Sequence, residues 1–215
     1  MIEHTLLRPD ATPDDVERLC DEAARWGFYA VCVSPVHVRR AARRLEGTGV
    51  AVVSVVGFPS GASTSLVKVV EAVEAVSAGA REVDMVGLVG SLKAGDDETF
   101  ARDVESVVRA VGPQVAVKVI LETGYLRDDE KVRGARLAEA AGARFVKTST
   151  GFGPTGATTH DVALLRGAVG QGVGVKASGG IRTVQAVQAM LQAGASRIGT
   201  SAGVAIMEEL AGGRL

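Results

Sequence analysis

The sequence predicts an α/β fold, a (β/α)8 TIM barrel built as one domain over 1–215. Three observations predict it. Short β-branched runs alternate with longer Ala/Glu/Arg-rich stretches of helical period, about eight times in 215 residues. A helical run ends and a strand begins at Ala78-Gly79-Ala80, at Ala141-Gly142-Ala143 and at Ala193-Gly194-Ala195. In each turn glycine supplies the left-handed residue that closes a helix. Polar residues also recur at the C-terminal ends of strand runs, where a barrel carries its active site. The alternative, an open dinucleotide-binding sheet, needs an early G-x-G-x-x-G that this chain lacks.

The elements follow in order. A strand over 2–5 precedes a helix over 13–26, where Thr12-Pro13 pairs an N-cap with proline at the first helical position. The strand over 30–33 follows Trp26-Gly27, a looser copy of the same turn. Helices are then expected over 35–45, 65–77, 98–110, 128–140, 159–168, 183–192 and 202–210. Strands between them are expected over 50–56, 82–86, 115–121, 145–147, 173–176 and 197–199. Asp128 and Thr183 are the candidate caps for two of these helices.

Composition narrows the function classes. The hydrophobic fraction of 47% provides for a large core, and with aromatics at only 4% that core must be aliphatic, which suits buried parallel strands. A net charge of -1 with no basic block gives no support for nucleic-acid or membrane-surface binding. No apolar run is long enough for a membrane span, and MIEHTLLRPD lacks the basic and apolar regions of a secretory signal. Cys20 and Cys32 are scattered and read as free thiols of a reducing, cytoplasmic compartment. His4, His37 and His160 form no ligand pattern, so no metal site is expected.

Chemistry enters through the lysines. The chain has six, and three lie in strand patterns: Lys118 in VAVKVILE, Lys147 in RFVKTST and Lys176 in VGVKASG. They are 29 residues apart each time, one βα repeat, so they are expected at similar depth on consecutive strands. Asp84 in EVDMV takes the matching place one strand earlier. A lone strand lysine is usually a snorkelling edge residue. Four ionisable groups at one level inside a barrel have no packing explanation, because each costs several kcal/mol unless paired. A nucleophilic lysine must be neutral, and lowering its pKa by about three units takes about 4 kcal/mol. Desolvation and a neighbouring cation supply that. One of the three lysines is therefore expected to form a Schiff base, another to tune it, and Asp84 to move protons; the residues alone leave the ranking open.

Small-residue loops follow the last three strands: 148–153 (TSTGFG), 178–180 (SGG) and 199–202 (GTSA). Glycine permits close backbone approach, Ser and Thr add donors, and the last loop opens a helix. Together they predict a phosphate site, with Thr148, Gly151, Gly179, Gly180, Thr200 and Ser201 as candidates and Arg182 as a possible added charge.

The runs EHTLLRPDAT, AVCVSP, EVDMV, VKVILETGYL, FVKTSTGFGP, VKASGGIRT and RIGTSAG resemble deoxyribose-phosphate aldolases in order and spacing, from Ile2 to Ser201. The resemblance implies a metal-free, cofactor-free class I aldolase on a (β/α)8 barrel. Such enzymes cleave 2-deoxy-D-ribose 5-phosphate reversibly to D-glyceraldehyde 3-phosphate and acetaldehyde, and are commonly homodimers or homotetramers. It implies Lys147 as the Schiff-base lysine, Lys176 as the lysine that lowers its pKa, Asp84 as the proton carrier, and Lys118 as a further active-site lysine paired with Asp84. Gly151, Gly179, Gly180 and Ser201 fall on phosphate-loop positions. Three residues depart from the family pattern. Glu3 replaces the usual Asp on a longer stem, Ser34 stands where many members have Asn, and Phe152 replaces a lysine that some members carry. Two other readings stay in view: a phosphate-binding barrel lyase or isomerase of another kind, and a non-catalytic barrel. An isomerase would more often use a carboxylate or histidine base and has no need of lysines on three strands.

Overall fold

The computed structural model describes residues 1–212. Its strands are β1 (Ile2–Leu6), β2 (Ala30–Val33), β3 (Ala51–Val56), β4 (Glu82–Val86), β5 (Ala116–Ile120), β6 (Phe145–Lys147), β7 (Gly174–Ser178) and β8 (Arg197–Thr200). They are parallel, pair in sequence order, and close with β1 against β8. Helices α1 (Pro13–Trp26), α2 (Val38–Arg44), α3 (Ser65–Ser77), α4 (Val89–Ala94), α5 (Asp97–Val111), α6 (Asp128–Ala140), α7 (Thr159–Ala168), α8 (Val184–Gln192) and α9 (Gly203–Gly212) occupy the connections. This is the expected (β/α)8 barrel.

Local chemistry sets the boundaries. Thr12 caps α1, its hydroxyl accepting the Asp15 N–H at 3.2 Å while the Asp15 carboxylate accepts the Thr12 N–H at 3.0 Å. Thr183 caps α8 through the Ala186 N–H at 3.1 Å. Asp128 is not a cap. Arg127 holds that position, its N–H bonds the Glu130 carboxylate at 2.7 Å, and Asp128 instead meets Lys131 and His160 at 2.9 and 2.6 Å. The stretch expected as one helix over 35–45 splits into a 3-10 turn at Pro35–His37 and α2. The short α4 went unforeseen: six residues are too few to show a period. Gly79, Gly142 and Gly194 in the three αβ turns all adopt positive φ, at 114°, 91° and 108°.

Strand alternation sends every second residue inward. Outward residues such as Val83, Met85, Val119, Val146 and Ile198 form the main core with the helices. The barrel interior is divided. On the β2–β3 side it is apolar, with Ala30, Cys32, Val53 and Val55 in one small cluster. The remaining strands send in Glu3, Glu82, Asp84, Lys118, Lys147, Lys176 and Arg197, all buried. That asymmetry positions the site.

Candidate active site

Asp84 and Lys118 are register partners on β4 and β5, and Lys147 and Lys176 are partners on β6 and β7. Lys147 lies opposite Ile120, however, and Lys118 opposite Phe145. Lys118 therefore starts two residues deeper than the equal sequence spacing implied, because barrel closure staggers the strands and a residue count does not reveal where. Long side chains make up the difference. All three ammonium nitrogens converge on one carboxylate: Lys118 Nζ is 2.8 Å from Asp84 Oδ1, and Lys147 and Lys176 Nζ are 2.7 and 2.6 Å from Asp84 Oδ2. Lys176 also contacts Glu3, and Lys118 lies 3.4 Å from Glu3 Oε1. Glu3, an apparent departure at the chain's start, is thus inside the cluster, its longer stem reaching Lys176 and Arg197 at once. Gly199 on β8 leaves space for Lys176; a Cβ there would meet Lys176 Cε at 3.0 Å.

Four basic side chains (Lys118, Lys147, Lys176, Arg197) face three carboxylates (Glu3, Glu82, Asp84) in the buried interior. Formal charge balances only when one base is neutral, and the environment selects which. Burial lowers the Lys147 pKa below its ordinary 10.5, Asp84 opposes this, and Lys176 reinforces it. Burial also disfavours charge on Lys176 and Lys118, but there the carboxylates prevail and both pKa values rise, through Asp84 and Glu3 for Lys176 and through Asp84, Glu3 and Glu82 for Lys118. Burial works against the Asp84 carboxylate too, yet the three lysines hold it well below the usual carboxylate range. A lysine whose ammonium form is disfavoured, beside an ionised carboxylate and two fixed cations, is suited to nucleophilic attack on a carbonyl.

Above this cluster lies a cavity of about 320 Å³ whose walls include Lys147, Gly151, Gly179, Gly180, Thr200 and Ser201. Lys118 and Lys176 do not line it. Gly151, Gly179 and Gly180 have φ of 89°, 93° and 80°, and a Cβ on Gly179 would lie 2.9 Å from Gly156 Cα, so these loops pack backbone against backbone. Among the described residues, the N–H groups of Gly151, Gly179, Gly180 and Ser201 have no protein acceptor. Such a cradle beside the start of α9 suits an anion. Thr200 holds the shape, donating to Ile181 O at 2.6 Å and accepting the Ala202 N–H at 2.9 Å. Thr148 does not reach the cavity. It is buried behind the loops and exchanges two 3.2 Å hydrogen bonds with the Ser178 backbone, tying β6 to β7. Phe152 stands at the rim, edge-on to Phe58 with ring centroids 5.4 Å apart. Arg182 also lines the cavity, and Ser34 does not.

Several contributors were not foreseen. Glu82, two residues before Asp84, shares its inward face, and alternation could have flagged it. Arg197 opens β8 with the same signal. Glu122 left no signal: it sits in left-handed backbone at φ 55°, and its buried carboxylate accepts the Thr150 N–H at 3.2 Å, bracing the 148–153 loop from behind. The His/Asp grouping with metal-ligand spacing among the described residues, Asp128, His160 and Asp161, lies away from this site. Lys131 Nζ already pairs with its two aspartates at 2.9 and 2.7 Å.

The model of the DeoC/LacD family aldolases matches residues 3–209. The chain belongs to that family. This aldolase is 55% identical over 211 residues to the deoxyribose-phosphate aldolase of Thermoanaerobacter sp. strain X514, covering 97% of this chain and 95% of that one. It is 56% identical over 209 residues to that of Methanothermobacter thermautotrophicus, covering 97% and 92%. The tetrameric deoxyribose phosphate aldolase of Aeropyrum pernix superposes with a TM-score of 0.90 at 39% identity, covering 98% of this aldolase and 89% of that chain. No helix among the described residues of this aldolase is long and apolar enough to cross a membrane.

Proposed function

We propose that this aldolase reversibly cleaves 2-deoxy-D-ribose 5-phosphate to D-glyceraldehyde 3-phosphate and acetaldehyde through an imine on Lys147. The observation that carries this reading is that Lys147, alone of the three clustered lysines, faces the cavity that also holds the unpaired N–H groups of the glycine loops. A substrate with an aldehyde at one end and a phosphate at the other fits both at once.

The neutral Lys147 amine attacks C1 of the open-chain sugar, and the carbinolamine loses water to give a protonated imine. That electron sink permits the C2–C3 bond to break as the C3 hydroxyl passes its proton, through a water, to Asp84, releasing glyceraldehyde 3-phosphate and leaving an enamine. Asp84 and Lys176, both within hydrogen-bond reach of Lys147 or of each other, return a proton to C2. Hydrolysis then frees acetaldehyde. Lys118 draws Asp84 back to its carboxylate form between these transfers. Gly151, Gly179, Gly180 and Ser201 hold the phosphate, with Thr200 shaping their loop, so binding energy remote from C1 fixes the reacting end.

Two features of the setting belong to the same reading. Cys20 and Cys32 are free and buried, consistent with a cytoplasmic enzyme. The chain works as a homodimer or homotetramer, since α3 exposes Leu66, Val67, Val70 and Val73 along one side, an apolar stripe suited to a second copy. Light scattering on the purified protein tests the assembly.

The chemistry is tested by reductive trapping. The protein is incubated with acetaldehyde or deoxyribose 5-phosphate, reduced with borohydride, digested and mapped by mass spectrometry. A two-carbon adduct on Lys147 is expected from both. An adduct on Lys118 or Lys176 would overturn the assignment of roles, and no adduct from folded protein would overturn the imine.

A further inference from the structure

Beneath the catalytic cluster, at the N-terminal end of the barrel, lies a second charged layer that touches no part of the cavity. Glu82 opens β4, and its Oε2 is 2.7 Å from Lys118 Nζ, on the side away from Asp84. Its Oε1 accepts the Tyr29 hydroxyl at 2.6 Å. Arg197 Nη1 lies 3.5 Å from Glu82 and 3.1 Å from Glu3. The Arg197 guanidinium stacks 3.4 Å over the Tyr29 ring and 5.1 Å from Phe145, closing that end of the barrel. The close packing of Phe145 is built in, because any Cβ at Gly174 would lie 2.2 Å from its ring.

A continuous line of ion pairs therefore runs from Lys147 through Asp84 and Lys118 to Glu82, no link longer than 2.8 Å. We infer that Glu82 is a positioning residue for the reaction: from the barrel end opposite the substrate its charge, relayed through Lys118 and Asp84, sets how tightly Lys147 holds its proton. This rests on Lys147 being the imine lysine. If Lys118 and Arg197 screened Glu82 completely, its charge would have no bearing on Lys147.

The groups facing Glu82 are Lys118 from β5, Arg197 from β8 and Tyr29 ahead of β2, with the apolar Val53 beside it on β3 and, beyond Arg197, Glu3 of β1 and the Met1 amino group. Glu82→Gln keeps the shape and can keep the Tyr29 hydrogen bond, but removes one negative charge. A proton on Lys147 then adds to a net positive core and is held less tightly. Arg197→Met removes a positive charge from the same layer while filling the stack, and tightens that proton.

The test is the initial rate of cyanoborohydride-trapped acetaldehyde adduct on Lys147 as a function of pH. Glu82→Gln is expected to move the midpoint down by on the order of one pH unit, as one charge about 10 Å away does at an effective dielectric near 20. Arg197→Met should move it up, and Glu82→Asp should restore it toward the parent. KM for the sugar phosphate should hardly change in any of them. Unchanged midpoints, or both variants shifting the same way, would overturn the inference; the second variant keeps it testable if the first fails to fold. An unmodified protein that gives no Lys147 adduct would overturn the imine reading itself, a separate outcome from a parent adduct whose midpoint ignores Glu82.

Discussion

Lys176→Met isolates the tuning of Lys147, the proposed nucleophile. Lys147 and Lys176 Nζ lie 2.7 and 2.6 Å from the same oxygen, Asp84 Oδ2, so the two nitrogens are at most about 5 Å apart. Two unit charges at about 5 Å with an effective dielectric near 20 repel by roughly 3 kcal/mol. That corresponds to about two pKa units on Lys147. The sign is fixed: burial and Lys176 lower the Lys147 pKa, so losing Lys176 raises it, and at a given pH fewer molecules carry the neutral amine. The acid limb of the kcat/KM profile should therefore move up by about two pH units. Cleavage near pH 7 should fall about a hundredfold and recover in part under alkaline conditions. The assay is deoxyribose 5-phosphate cleavage followed by aldehyde release from pH 6 upward, with circular dichroism confirming the fold. A lower plateau with an unmoved limb would refute the charge argument and leave Lys176 as a proton carrier alone.

Three further outcomes are expected. Gly179→Ala forces a side chain into φ 93° and within 2.9 Å of Gly156 Cα, a strain of about 1–3 kcal/mol, so KM for the phosphorylated sugar should rise at least about tenfold while acetaldehyde trapping suffers less. Phe152→Lys puts a cation at the cavity rim beside Gly151 and should lower that KM a few-fold, about 1 kcal/mol at most, an effect that salt should erase. Lys68 and Asp103 form a fully buried pair at 2.6 Å between α3 and α5. Lys68→Met strands the carboxylate at a cost of about 3–5 kcal/mol, which calorimetry should record as a fall in Tm of roughly 10 °C. Adding Asp103→Leu should recover much of the loss.

The barrel was legible because its elements carry local signals. β2, β4 and β6 and helices α1, α3, α6 and α7 fall on their expected spans, each a clean alternation or period bounded by Thr12, Thr64, an Ala-Gly-Ala turn or a similar marker. The site was legible in its parts. Lysines in apolar strands are rare enough to stand out, and glycine-rich loops mark close backbone approach. What stayed hidden depends on relations between strands. The stagger between β5 and β6 is a property of closure, and so is the exposure of Lys147, alone among the three lysines, to the cavity. Alternation puts Glu82 and Arg197 on the inward face, but each is a strand's first residue, where a charge reads as a solvated edge until the partner strands arrive. The setting of Thr148 was hidden because a threonine in a glycine loop looks the same whether its hydroxyl faces the cavity or, as here, the neighbouring strand. Glu122 was missed because a glutamate in left-handed backbone has no sequence signature.

The balanced charge of the barrel interior also governs the stability curve. Between the lowered pKa of folded Lys147 and its ordinary 10.5, the unfolded chain binds a proton on Lys147 that the native chain releases. Lys118 and Lys176, whose values are raised, and Asp84, whose value is lowered, keep the same protonation in both states across neutral pH. Unfolding in that interval takes up a proton at this lysine, so the contribution of Lys147 to native stability grows with rising pH up to about 10.5 and weakens as pH falls toward the folded value. The lowered proton affinity of Lys147 is thus visible without any substrate, as a buffer-dependent heat of unfolding. A variant that returned an ordinary lysine to this position would be sturdier at neutral pH and a poorer catalyst.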